Sequence, residues 1–259
     1  MSSVNFRLAL VTGATSGLGE ELSSLLSQKN IPLLLTGRDE KRLKEAALRF
    51  HAGSMPLDLR QDRGPLLSWI RENKPDLVIN CAGFGLYGPV LIHDKQSQID
   101  LLEVNAAAAM EISIEVAKAL LASEMEGTIL NVSSVAGELS IPMMAVYAAS
   151  KAFITSFSRS FDAEMKPFRI RILASLPGPI ATPFAQRASF GRFTDRPSFT
   201  TLTPARAAQL IWRQIETKKS TQIIGFSMRA ILALTQLIPR ALVERVLQNN
   251  LAKRYTPSP

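Results

Sequence analysis

One cysteine and two histidines are all the thiol and imidazole chemistry this chain of 259 residues carries. With Cys81 alone, no internal disulfide and no cysteine metal cluster can form, which fits a reducing compartment. Cys81 reads as a buried apolar filler. His51 and His93 stand in no motif and read as surface or loop positions. A Ser-His-Asp hydrolase is poorly supported, because a G-x-S-x-G elbow is missing as well. No apolar stretch reaches the ~18 uninterrupted residues of a membrane span. The opening MSSVNFRLALVTGA enters a strand-like run at once and leaves no room for a secretory leader, so the expected location is cytoplasmic. Repeats and low-complexity segments are absent too.

What the chain does have is ordinary globular material, 46% hydrophobic and 20% charged, enough for one large α/β domain over residues 1–259. Its net charge of +8 is unevenly placed. Residues 1–182 hold 18 Lys and Arg against 19 Asp and Glu, whereas residues 183–259 hold 12 against 3. Solvated helix faces account for such a bias. A field attracting anionic lipid or a phosphate-bearing substrate is the sharper alternative. Nucleic acid has only net charge in its favour and is not expected.

Leu8 to Val11 is a short apolar run suited to a parallel strand covered on both faces. TGATSGLG at Thr12 to Gly19 breaks it, and Glu20 to Gln28 reads as a helix. Strand, glycine turn and helix in that order form a phosphate-binding arrangement, with close backbone approach and unpaired N–H groups at the helix N-terminus. The spacing is G-x-x-x-G-x-G and not G-x-G-x-x-G. A second strand, Ile31 to Leu35, ends in Thr36-Gly37-Arg38-Asp39. An acid at that strand end favours NAD and an arginine favours the 2′-phosphate of NADP, so Arg38 points to NADP(H) over NAD(H). Asp39 reads as the N-cap of a helix from Glu40 to Phe50.

Further strands are expected at Ser54 to Leu59, Asp76 to Cys81, Thr128 to Val132, Ile170 to Leu176 and Gln222 to Ile224. Alternation with helices argues a Rossmann-like doubly wound parallel sheet of about seven strands, helices on both faces, with ligand at the carboxyl ends. Lys95 to Ala122 reads as one long helix. Asn105 inside it is costly if buried without partners, so it is either bonded to backbone or placed for function.

Tyr147 and Lys151 stand four apart in alanine-rich sequence, which places them on one face of a helix from Ala145 to Met165. A phenol titrates near pH ~10 and an adjacent ammonium lowers that value, which suits a general acid. Ser134, thirteen residues upstream of Tyr147, brings a hydroxyl to the same spot.

A loop from Thr182 to Pro204, rich in Phe, Arg, Ser and Pro, is the expected substrate cover. Its Phe184, Phe190, Phe193 and Phe199 meet an acyl or lipid-like substrate or pack on themselves. A helical extension at about 228–254 follows. Its second helix, after Pro239, carries the stripe Leu242, Val243, Val246, Leu247 and Leu251. Docking on the domain or a second subunit is the favoured reading; shallow burial in a lipid interface is the rarer one.

Together these segments resemble the short-chain dehydrogenase/reductase family of single-domain type. The matches are T-G-x-x-x-G-x-G at Thr12 to Gly19, N-x-A-G at Asn80 to Gly83, Asn105, Ser134, Y-x-x-x-K at Tyr147 to Lys151, and Pro177-Gly178 followed by Thr182. The resemblance implies reduction of a ketone or aldehyde carbonyl, or the reverse. In it Tyr147 is the acid/base, Lys151 lowers its pKa and holds the nicotinamide ribose, Ser134 orients the carbonyl and Asn105 supports a proton relay. It also implies cofactor contacts from Gly13, Thr15, Ser16, Gly17, Leu18, Gly19, Asp58, Leu59, Asn80, Ala82, Gly83, Pro177, Gly178, Ile180 and Thr182. A second basic residue common inside the glycine segment of NADP-preferring members is missing here. The NCAGFGLYGP segment is similar to a broad bacterial group of poorly assigned oxidoreductases, and the family implies a homodimer or homotetramer. A non-catalytic NADP-binding sensor of the same fold is the competing class.

Overall fold

Short strands of four to eight residues, apolar at the centre, make a single parallel sheet. The computed structural model describes residues 5–192, 198–235 and 237–253. The strands are β1 (Ala9–Thr12), β2 (Leu33–Gly37), β3 (Gly53–Pro56), β4 (Leu77–Asn80), β5 (Gly127–Val132), β6 (Ile170–Pro177) and β7 (Thr221–Ile224). They lie in the order β3-β2-β1-β4-β5-β6-β7, and every pair is parallel.

Successive strand residues face opposite sides, so a strand covered on both sides must be apolar throughout. Val11, Leu35, Ile79, Leu130 and Leu173 pack on one side with α1 (Gly17–Gln28) and α2 (Glu40–Phe50). Leu10, Leu34, Val78, Ile129 and Ile172 pack on the other with α3 (Gly64–Asn73). These layers, a Rossmann-like fold, are the doubly wound sheet that the strand runs predict. Crossover direction reverses between β1 and β4, which are neighbours, so their carboxyl ends part and leave a crevice.

The helix expected from Lys95 to Ala122 is divided. It runs as α4 (Lys95–Leu102), a π-helical turn (Glu103–Ala107) and α5 (Ala108–Ala122). The widened turn carries Asn105, whose side chain is tied to the loop after β4. A second difference is α3, which the strand-by-strand reading passes over although Leu66 and Ile70 form its buried stripe. Next comes α6 (Ala145–Met165), with the predicted limits.

Within the expected loop at 182–204 a short helix, α7 (Phe184–Ala188), forms, and a parallel bridge joins Ile180 to Leu202. Phe190 and Phe199 are exposed, whereas Phe193 lies outside the described residues. The remaining helices are α8 (Pro204–Thr217), which packs beside α1, α9 (Phe226–Thr235) and α10 (Arg240–Ala252). The stripe on α10 is only partly covered: Leu251 is buried, Val243 and Leu247 are half-buried, and Leu242 and Val246 are exposed.

Candidate active site

The glycine turn is shaped by contacts that only glycine permits. Gly13 adopts φ +69°, and a Cβ there would lie 2.7 Å from the Ala82 Cα. A Cβ on Gly19 would lie 2.3 Å from the Gly13 carbonyl oxygen. Thr12 closes the arrangement: its hydroxyl accepts from the Cys81 and Ala82 N–H groups at 3.1 Å each. The turn after β1 is thus locked to Asn80–Gly83 after β4. Thr12 opens the T-G-x-x-x-G-x-G motif, but these bonds of its hydroxyl to the segment after β4 were not legible in the sequence.

Ser16, at the N-cap of α1, is extended and makes no side-chain capping bond. The first-turn N–H groups of Gly17, Leu18 and Gly19 therefore keep donor capacity and positive dipole for an anion. Thr15 packs against Gly37, and Thr182 against Gly17, at 3.3 Å from the Cβ position of the latter. That contact joins the glycine turn to the segment after β6. Pro177 ends β6, Gly178 faces Met228 of α9, and Ile180 is fixed by its bridge.

Arg38 is exposed just past β2 and close enough to Asp58 to help lower its pKa. Arg60 does more, gripping the Asp58 carboxylate through Nε at 3.0 Å to both oxygens and holding it below the usual range. Arg60 also reaches Asp100 at 3.2 Å. Leu59 is buried beside this pair. Asp39 caps α2, as its position predicts, by accepting from the Arg42 N–H. The Asn80 side chain is turned into the sheet's other side, donating to Asn131 Oδ1 at 2.8 Å, Ser113 Oγ and the Ala109 carbonyl at 3.3 Å each. Asn131 donates onward to Ser158 at 2.9 Å. The Asn80 Oδ1 is buried without a hydrogen-bond partner among the described residues.

At the carboxyl end of β5 the chain delivers Ser134, which accepts from the Ala136 N–H and stands close enough to the Tyr147 hydroxyl to favour its ionised form. Ser133 is committed elsewhere, bonding the Lys151 carbonyl and Thr155. Lys151 is buried, with its ammonium donating to the Val132 carbonyl at 2.9 Å and standing 5.9 Å from the Tyr147 ring centre. The expectation that lysine lowers the phenol's pKa is not met. Burial pushes Tyr147 up to about 12, outweighing the opposing effect of Ser134. Burial also brings Lys151 down to about 8.

Asn105 resolves its two readings in favour of backbone bonds. Its oxygen accepts from the Phe84 N–H at 3.0 Å, and its amide donates to the Phe84 carbonyl at 2.8 Å and to Ser150 at 3.3 Å. A Cβ on Gly83 would lie 3.1 Å from Asn105 Oδ1 and 3.5 Å from Lys151 Nζ, so Gly83 lets these groups converge. Around Tyr147 stand Tyr87 and Phe184, with ring centres 6.0 and 5.8 Å away, and Leu86 packs in the same cluster. Cys81 packs against the core, and burial pushes its thiol up to about 12.

A crevice at the sheet's switch point, bordered by a glycine turn and by a serine, tyrosine and lysine, defines a dinucleotide-dependent oxidoreductase fold. The sequence model of the short chain dehydrogenase family matches residues 7–191, and the chain belongs to that family. An uncharacterized oxidoreductase of Staphylococcus epidermidis is 27% identical over 197 residues, covering 74% of this chain and 85% of the relative. An NADPH-dependent 1-acyldihydroxyacetone phosphate reductase of Saccharomyces cerevisiae is 28% identical over 190 residues, covering 70% and 63%. A short chain dehydrogenase from Burkholderia cenocepacia, solved in complex with NADP, superposes with a TM-score of 0.78 at 25% identity, covering 93% of this chain and 96% of the other. As a member, the chain is an oxidoreductase that binds a nucleotide cofactor and acts on small molecules.

Proposed function

We propose that residues 1–259 act as one NADP(H)-dependent domain that reduces a ketone or aldehyde carbonyl to an alcohol, or runs the reverse, with Tyr147 as acid/base. The observation that carries this reading is that Tyr147, Ser134 and Lys151 are buried together, the Lys151 ammonium 5.9 Å from the Tyr147 ring centre, all beside the crevice.

The residues present fit a nicotinamide dinucleotide: the uncapped N-terminus of α1 faces the crevice, and the glycine turn leaves its backbone bare. Gly13, Gly17 and Gly19 would hold the phosphates, Arg38 the 2′-phosphate, Asp58 the adenine, and Ile180 and Thr182 the carboxamide. When bound, the cofactor supplies or takes up the hydride.

This chain's residues do the rest. Ser134 donates to the substrate oxygen and orients it, and Tyr147 gives its proton to that oxygen as negative charge develops. Burial keeps the phenol protonated at neutral pH, so the acid is loaded before reaction. Lys151, protonated below about 8, places a positive charge beside the same centre. Asn105 pins the loop at Phe84 and so fixes the wall against which the carbonyl lies. Positioning supplies most of the acceleration, and the proton donor about 10²- to 10⁴-fold. A serine, tyrosine and lysine kept together in a buried setting favour catalysis over a cofactor-binding sensor.

Tyr87, Leu86 and Phe184 make the approach to Tyr147 apolar. Beside Val146 runs a groove of about 360 Å³ lined by Val90, Leu91, Ile99 and Leu102. Both features suit a ketone with an acyl or otherwise bulky apolar arm. The aromatic row Phe153, Phe157 and Phe161 on α6 supports a homodimer or homotetramer. The cytoplasm is the location that the single cysteine supports.

The test is NADPH oxidation with a panel of ketones, 3-oxoacyl thioesters and aldehydes. Turnover is expected with NADPH, highest for substrates with long apolar arms. No consumption across the panel, or a uniform preference for NADH, would contradict the proposal.

A further inference from the structure

The helix α9 is apolar on two opposite faces, and only one has a partner. Its inner face carries Leu232, 5% exposed, and Met228, whose side chain meets the Cβ position of Gly178 at 3.2 Å. Its outer face carries Phe226, Ala230, Ala233 and Leu234, at the spacing i, i+4, i+7 and i+8 of one helical stripe, and Leu237 lies in the turn beyond the helix. Phe226 and Leu237 are each 82% exposed, and Leu234 is 60% exposed. On α10 Leu242 and Val246 are exposed as well.

The charges on the same segment have one sign. Arg229, Arg240, Arg245 and Lys253 are exposed and form no ion pair among the described residues, and Glu244 is the only acid between Phe226 and Lys253. A second copy seated on this face would set two surfaces with the same excess of positive charge against each other. An anionic surface with an apolar interior accepts both features, the side chains entering the acyl boundary while the cations lie at the headgroups. No helix among the described residues is long and apolar enough to cross a membrane, which leaves the in-plane arrangement.

From this we infer that the outer face of α9 and the first turns of α10 dock the protein on an anionic lipid bilayer. Because the inner face of α9 rests on Gly178 at the end of β6, docking sets the carboxyl edge of the sheet close to the lipid surface. The inference stands on the surface alone and holds whatever the enzyme reduces.

The test is sedimentation of the full chain with vesicles of phosphatidylcholine, alone or mixed with phosphatidylglycerol, at low and high salt. The protein is expected to pellet with the mixed vesicles at low salt and to be released by high salt. Each cation at such a surface changes partition about fivefold, so Arg240→Gln with Arg245→Gln is expected to weaken it about 25-fold. Leu234→Glu with Leu237→Glu, both at exposed positions, is expected to abolish pelleting while leaving NADPH binding and the circular dichroism spectrum unchanged. Absence of pelleting at low salt would overturn the inference. So would unchanged binding in both double variants, or a wild-type dimer that Leu234→Glu with Leu237→Glu dissolves without any vesicle binding.

Discussion

Tyr147 and Lys151 stand one helical turn apart, yet burial, acting on each separately, drives their pKa values apart, to about 12 and about 8. The sequence shows the four-residue spacing but not the depth, so it gives the pair and misses the direction of the phenol's shift. The free enzyme then carries its Lys151 charge in full below about 8 and loses it as pH rises through that value. If the ammonium assists the reduction, kcat/KM is expected to be level from neutral pH downward and to fall about tenfold per unit well above pH 8. A profile level to pH 9.5, on the roughly tenfold-per-unit expectation, would remove Lys151 from the reaction. Glycines show the same limit of legibility. Gly13 and Gly191 both have positive φ, but a Cβ at Gly13 strikes the Ala82 backbone whereas one at Gly191 meets nothing within 4 Å. Gly13→Ala is expected to cost about 1–3 kcal/mol in urea unfolding and to weaken NADPH binding. Gly191→Ala is expected to cost about 1 kcal/mol and leave the cofactor untouched. Equal effects on cofactor binding would contradict the packing account of the turn.

The elements were legible where apolar runs were uninterrupted. Strands β1, β4 and β6 appear within about two residues of their expected limits, because a strand buried on both faces leaves no other composition open to it. The single long helix was not legible as three pieces, since the π-helical turn at Glu103–Ala107 is tied to Phe84, 21 positions before Asn105. Sequence periodicity cannot report a bond made by another element. Asn105→Ala would strip partners from the Phe84 N–H and carbonyl, at an expected cost of about 1–3 kcal/mol in denaturant unfolding. Asn105→Asp keeps the acceptor for the Phe84 N–H and is expected to lose less. Identical losses in the two variants would show that these bonds do not hold the turn. The loop at 182–204 concealed α7 because five helical residues give too little periodicity to read.

For the whole molecule, the order of the sheet makes one crevice from segments far apart in sequence. Pairing of β1 with β4 sets Thr12–Gly19 against Asn80–Gly83, and the contact of Thr182 with Gly17 adds the segment after β6. The family motifs named these segments in advance; the aromatic wall of Tyr87 and Phe184 came only with the fold. Cofactor choice also belongs to this scale, because Arg38 lies at the far end of the crevice from Tyr147. Arg38→Ala is expected to weaken NADPH by about 1.5–3 kcal/mol and NADH hardly at all, read by titration of each cofactor. Equal weakening of both would deny Arg38 its role. The central claim, that Tyr147 delivers the proton, is tested most directly by single-turnover reduction in Tyr147→Phe preloaded with NADPH. The account predicts normal NADPH affinity and a rate lower by about 10²- to 10⁴-fold; a rate within about threefold of the wild type, far short of a proton donor's contribution, would contradict it.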